Sequence, residues 1–140
     1  MITEYELLKQ GEDEYMSDAQ KDFFRARLLD MKKQTEERLQ TARATISQPN
    51  TSSDPLDEAT EEEIRDITLI RIKRDTQVYH DIELALDRLR HDDFGYCEET
   101  GMPLGIPRLL ANPLARYSTA ALMKKEEQGR LEGYGDQDVA

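Results

Sequence analysis

The sequence has no tryptophan, one cysteine, five prolines and seven glycines in 140 residues. A lone cysteine cannot close an internal disulfide, so a reducing compartment is expected. No apolar run approaches the roughly 20 residues needed to cross a bilayer, and no basic amphipathic stretch offers attachment to a membrane surface. The opening residues, Met1-Ile2-Thr3-Glu4-Tyr5-Glu6, carry neither the basic start nor the apolar core of a secretory signal, which points to the cytoplasm. Bases are outnumbered: 19 Lys and Arg face 30 Asp and Glu, a formal charge of -11. Such a surface is repelled by phosphate, which argues against direct binding to DNA. Charge itself is abundant, at 35% of residues against 37% hydrophobic, with a mean hydropathy of -0.80. At the length of one domain, that balance describes long polar-surfaced helices rather than a sandwich or a deep catalytic pocket.

Turn signals divide the chain. Residues 1–16 hold five acids and one base and read as a leader. From Ser17, a candidate N-cap with Asp18 in the first turn, no Pro or Gly occurs until Pro49, which predicts one long helix. Its apolar residues Phe24, Leu28 and Met31, then Leu39, Ala42 and Ile46, step by three and four around a polar interruption at Thr35. That narrow seam resembles a coiled coil. Turn formers concentrate from Ser47 to Leu56, with Pro49 and Pro55 stopping the helix. A second helix is predicted from near Asp57 to His91, with Ile64, Ile67, Val78, Ile82, Ala85, Leu86 and Leu89 at helical spacing. Two such helices of roughly 30 residues make an antiparallel hairpin about 45 Å long at ~1.5 Å per residue.

Beyond His91 the residues Gly95, Gly101, Pro103, Gly105, Pro107 and Pro113 break up the chain around Leu104, Ile106, Leu109, Leu110 and Leu114, which predicts a small head. A closing helix is expected from about Tyr117 to Gln128, ended by Gly129, Gly133 and Gly135, with a frayed tail.

Charge is uneven in a way that suggests function. Residues 48–63 contain Asp54, Asp57, Glu58, Glu61, Glu62 and Glu63 and no base, while the shafts behind them are slightly positive. The helix dipole favours Asp57 and Glu58 there, but the cluster exceeds what capping needs. The alternating acids and central glycine of a calcium loop are missing, and a hairpin tip offers no cleft for paired-carboxylate hydrolysis. Insertion of a narrow acidic rod into a channel of a larger partner remains, beside the plainer reading of a solvated turn. Arg71, Lys73, Arg74 and Arg108 could hold a phosphate or could be ordinary surface charges. Cys97 lacks a neighbouring base for nucleophilic work, since the two histidines, His80 and His91, lie in the second shaft. A redox role would need a low thiol pKa, against which Glu98 and Glu99 argue.

The run Asp54-Pro55-Leu56-Asp57-Glu58-Ala59-Thr60-Glu61-Glu62-Glu63, followed by Asp93-Phe94-Gly95-Tyr96-Cys97-Glu98-Glu99-Thr100-Gly101 and Gly105-Ile106-Pro107-Arg108-Leu109, resembles the DksA/TraR family over nearly the whole chain. The resemblance implies a mainly α fold: leader 1–16 packing on the head, coiled-coil hairpin 17–91 with its tip at 48–63, degenerate zinc-finger-like head 92–121, and C-terminal helix and tail 122–140. It implies a non-enzymatic regulator that binds bacterial RNA polymerase without contacting DNA and takes part in the stringent response, and the stagger of polar positions along the shaft seam favours a monomer. By the resemblance the hairpin enters the polymerase secondary channel, with Asp54, Asp57 and Ala59 at the functional tip positions. Arg74 and Arg108 fall on positions that contact the alarmone ppGpp in the family, whereas three further basic positions fall on Asp81, Asn112 and Leu122. Reduced ppGpp synergy is therefore expected.

The four zinc-ligand positions of the family fall on Cys97, Thr100, Ser118 and Ala121. Zinc is not expected as a cofactor, and packing by Leu104, Ile106, Leu109 and Tyr117 is expected to hold the head. Competing readings are a channel factor with another output, such as transcript cleavage or elongation, and a structural coiled-coil adaptor.

Overall fold

In the computed structural model, which describes residues 1–49 and 54–139 and side chains through 131, the chain is mainly α-helical. Part of the expected tip, residues 50–53, lies outside the described residues, as does Ala140. Five helices follow in order: α1 Glu4–Lys9, α2 Asp18–Ser47, α3 Pro55–Arg90, α4 Ile106–Ala111 and α5 Thr119–Val139, with a 3-10 turn at Glu12–Glu14. The β structure among the described residues is an isolated bridge between Tyr96 and Pro103. Contacts group the chain into a head unit, Met1–Phe24 with Arg88–Ala140, and a hairpin unit, Arg25–Asp87.

Ser17 starts α2 as its spacing predicts. Its carbonyl accepts from the Lys21 amide at 2.9 Å and its hydroxyl from the Gln20 amide at 3.4 Å. Within the hairpin unit, α2 and α3 run antiparallel. Lys32 pairs with Glu83 at 2.7 Å, the Tyr79 hydroxyl donates to Glu36 at 3.1 Å, and Arg38 lies 3.5 Å from Asp75. As the residue number rises on one helix it falls on the other. Leu28 and Leu39 of α2 and Ile82, Ala85 and Leu86 of α3 are buried.

The seam differs from its sequence reading towards the tip. Ile64 and Ile67 are exposed, while Thr68 and Asp75 are buried at 8% and 6%. The buried residues Thr68, Asp75, Ile82 and Leu89 stand seven apart, the period of a coiled-coil seam. Ile67 is one residue off that line, so it turns outward despite its chemistry. Thr35, read as an interruption, is itself buried at 1%. These polar seam groups are paired. The Thr35 hydroxyl donates to the Met31 carbonyl at 2.8 Å and accepts from Arg38 at 3.1 Å, and Thr68 donates to the Ile64 carbonyl at 2.7 Å.

In the head unit the core includes Leu7, Met16, Phe23, Phe24, Phe94, Leu109 and Ala115. Of the four residues expected to hold it, Leu109 is buried, whereas Leu104, Ile106 and Tyr117 are half-buried. Helix α1 packs on α4, and the Phe24 and Phe94 rings meet at 5.4 Å. The Tyr15 hydroxyl donates to the Gly95 carbonyl and accepts from the Gly105 amide at 3.0 Å. Gly95 has φ +89°, and a Cβ there would come within 3.0 Å of the Met16 sulfur, so only glycine fits without displacement. Asp92 takes φ +59° just past the end of α3, and its carboxylate, held below its usual pKa by Lys21, accepts from that ammonium at 2.7 Å.

The last helix is longer than its glycines suggested. It runs Thr119–Val139 through Gly129, Gly133 and Gly135, because a glycine weakens a helix by about 1 kcal/mol without breaking its hydrogen bonds.

Burial predicts contrasting stability costs within one hairpin. Leu28→Ala is expected to cost about 2–5 kcal/mol, and Ile70→Ala to stay within about 0.5 kcal/mol, in urea unfolding followed by circular dichroism.

Candidate functional site

The acidic tip is built on the start of α3. Asp54 is the N-cap: its Oδ1 accepts from the Leu56 amide at 3.0 Å and its carbonyl from the Glu58 amide at 2.9 Å. Pro55 occupies the first helical position, where a missing N–H costs nothing. Asp57 and Glu58 follow in the first turn, beside the positive end of the helix dipole. Asp54, Asp57 and Ala59 are all exposed, at the cap and in the first turns of α3. Asp54 therefore carries both a structural hydrogen bond and a displayed charge.

The predicted anion contacts differ in their commitments. Arg74 lines an open groove of about 720 Å³ together with Gln34, Arg38, Arg71 and Asp75. Arg108, in α4, belongs to the head unit, where its Nε donates to the Tyr117 carbonyl at 3.0 Å and its Nη1 to the Thr119 hydroxyl at 3.4 Å. Two of its five N–H donors thus tie α4 to the start of α5. The sequence signal for Arg38 and Arg71 as neighbours of Arg74 lay in helix spacing combined with the antiparallel register, and the second of these needed the structure.

The four residues that the resemblance sets at zinc-ligand positions form one cluster in the head unit. Cys97 is 3% exposed. Its thiol is pulled down to about 6, chiefly by the Thr100 hydroxyl, then by the Ser118, Thr100 and Glu99 amides, against the opposing effect of burial. The Thr100 hydroxyl oxygen accepts from the Met102 amide at 3.2 Å, the Ser118 hydroxyl from the Ala121 amide at 3.1 Å, and Ala121 is buried. The turn is closed by Cys97 N–H to the Met102 carbonyl at 2.8 Å and Gly101 N–H to the Cys97 carbonyl at 2.9 Å. One thiol, two hydroxyls and a methyl fall short of the four nitrogen, sulfur or carboxylate ligands that zinc takes.

The expectation that Glu98 and Glu99 hold the thiol pKa up is overturned. Arg116 grips Glu98 with two bonds of 3.0 and 2.8 Å and holds its carboxyl below the usual range, and Lys125 stands 3.4 Å from Glu99. Their charges are answered by bases, while the hydroxyl and amide donors act on the sulfur directly. Linear sequence showed the nearby acids and not the bases that fold onto them.

A helical hairpin whose second helix opens with capped, displayed carboxylates, joined to a small helical head, defines the class. No family model matches the chain. The RNA polymerase-binding transcription factor DksA of Caulobacter vibrioides (strain NA1000 / CB15N) is 36% identical over 126 residues, covering 86% of this chain and 87% of that protein. The factor of the same name from Escherichia coli K12 is 35% identical over 108 residues, 76% of this chain and 71% of its own. The solved structure of transcription factor DksA2 from Pseudomonas aeruginosa matches with a TM-score of 0.81 at 36% identity, over 91% of this chain and 99% of that one. The chain belongs to the DksA family.

Three measurements follow from this geometry. Asp54→Asn keeps an N-cap and should leave stability nearly unchanged, whereas Asp54→Ala should cost about 0.5–2 kcal/mol in the same unfolding assay. A thiol pKa depressed in the folded state adds stability that is complete above its unfolded value of 9.0 and vanishes as pH falls through about 6. Thermal unfolding should accordingly occur at higher temperature at pH 8 than at pH 6 by an increment that Cys97→Ala abolishes. Thiolate absorbance should titrate near pH 6, and Thr100→Val should move it upward.

Proposed function

We propose that this protein regulates bacterial transcription initiation by binding RNA polymerase in the cytoplasm and presenting the Asp54/Asp57 tip inside the secondary channel. The observation that carries this reading is membership of the DksA family across 86% of the chain, combined with two displayed carboxylates on a capped helix start. Relatives bearing that family name are described as RNA polymerase-binding transcription factors.

The chain's own part in this mechanism is electrostatic and steric. The cap holds Asp54 in place on α3, Asp57 sits one turn on, and Ala59 adds little bulk, so the tip can approach a partner closely. Regulation then works by population shift: the factor binds the altered polymerase state better than the ordinary one, and about 1.4 kcal/mol of that preference changes a lifetime tenfold. No bond is made or broken by the protein in this reading, zinc plays no part, and it acts as a monomer.

ppGpp enters as a ligand shared with polymerase through Arg74 and Arg108. Two donors of Arg108 are engaged within the head, and Asp81, Asn112 and Leu122 stand at three family basic positions, so weak synergy is the expected result.

The test is in vitro transcription from a ribosomal RNA promoter with bacterial RNA polymerase. The wild-type protein should shorten open-complex lifetime with a small further effect of ppGpp. Asp54→Asn/Asp57→Asn should bind polymerase equally and leave the lifetime unchanged. If the wild-type protein binds and lifetimes do not move, an output in transcript cleavage or elongation, or an adaptor role, replaces this reading.

A further inference from the structure

The turn that carries Cys97 is fastened to the start of α5 by charged side chains. A metal held at the four family positions would join that turn, through residues 97 and 100, to residues 118 and 121, but the thiol, two hydroxyls and methyl present there do not suit zinc. The residues flanking those positions make the same connection. Glu98 and Glu99 lie inside the turn, and Arg116 and Lys125 stand on either side of the 118–121 stretch. Glu98 accepts from Arg116 Nε at 3.0 Å and from its Nη2 at 2.8 Å, and the Glu98 amide donates to the Arg116 carbonyl at 2.8 Å. Arg88, at the end of α3, holds its Nε 3.7 Å from Glu98 and donates through Nη2 to the Tyr96 carbonyl at 2.7 Å. Lys125 reaches Glu99 at 3.4 Å while its ammonium lies 4.6 Å from the centre of the Tyr117 ring.

A single exposed ion pair contributes little. The Glu98 cluster differs in three ways. Its contact with Arg116 is a fork on a carboxylate, the stronger geometry. The Arg88 and Glu98 side chains are only 12% and 31% exposed, which limits screening. The backbone bond between Glu98 and Arg116 already fixes both residues, so their side chains give up less freedom in pairing. We infer that the Glu98–Arg116 clamp, seconded by Glu99–Lys125, takes the place of zinc as the crosslink between the Cys97 turn and the start of α5. The head is thereby locked by charge, and its integrity answers to ionic strength instead of metal supply.

The test follows hydrogen exchange of amides 97–101 and 116–121 in full-length wild type, Glu98→Gln, Arg116→Gln and the double variant, at low salt and in about 1 M NaCl, where the Debye length is ~3 Å. Each single change should speed exchange of the Glu98 and Gly101 amides about tenfold. The double variant should exchange no faster than either single one, and salt should speed exchange in wild type more than in the double variant. Single variants that exchange as wild type does, or effects that simply multiply in the double variant, overturn the inference. A loss of protection spread equally over α2 and α3 overturns it too, since the clamp would then support the whole fold and not one crosslink. Thr100→Cys/Ser118→Cys/Ala121→Cys, which adds three thiolates to Cys97, supplies an independent check. Once this variant is loaded with zinc, the effect of Glu98→Gln should shrink to about twofold or less. If the zinc-loaded protein stays as sensitive to Glu98→Gln, or if it takes up no zinc, the clamp does not stand where a metal crosslink would and the inference falls.

Discussion

A single phenol joins the pieces of the head unit. The Tyr15 hydroxyl donates to the Gly95 carbonyl and accepts from the Gly105 amide, and its ring meets Tyr96 edge-on at 5.6 Å. It thereby connects the segment before α2, the loop after α3 and the turn before α4. Burial pushes the Tyr15 hydroxyl up from its ordinary pKa, so it remains a neutral donor over any physiological range. The head has few long apolar side chains for its size, and directional bonds that fix loop against loop supply what a small core cannot. Around that point the Phe24–Phe94 contact, the packing of α1 on α4 and the hydrogen-bonded Cys97 turn each close one side.

The hairpin unit follows another rule. Its buried layers are apolar from Leu28 and Leu39 to Ile82, Ala85 and Leu86, and polar at Thr35, Thr68 and Asp75. Each polar member has a bond or an ion pair, so the layer is tolerated rather than strongly stabilising. A seam of this kind leaves the tip half of the hairpin with less hydrophobic support than the half that carries Leu28, Ile82, Ala85 and Leu86. Low local stability suits a segment that must fit itself to another surface.

Much of this architecture was legible in the residues. The long stretches without Pro or Gly announced α2 and α3, Ser17 announced a cap, and the glycines and prolines after His91 announced the head. The acidic tip was read from charge alone, yet the capping role of Asp54 was hidden, because the adjacent turn signals spread over ten residues and did not single out a start. Counting by threes and fours put Ile64 and Ile67 in the seam by hydrophobicity; a strict seven-residue count back from Leu89 and Ile82 reaches Asp75 and Thr68 instead. Core membership of Leu7 and Met16 depended on a leader folding onto distant loops, and the setting of Cys97 depended on the turn that brings the Thr100 hydroxyl and the Ser118 amide to its sulfur and on Arg116, which folds onto Glu98.

Among the described residues, cross-helix pairs of the hairpin unit include Lys32 with Glu83, Glu36 with Tyr79 and Arg38 with Asp75. All three sit well away from the connection between α2 and α3, so alignment of the two strands of the rod is set by side chains on the shafts. A slip of one helix past the other would break all three at once, so the shafts carry their own register.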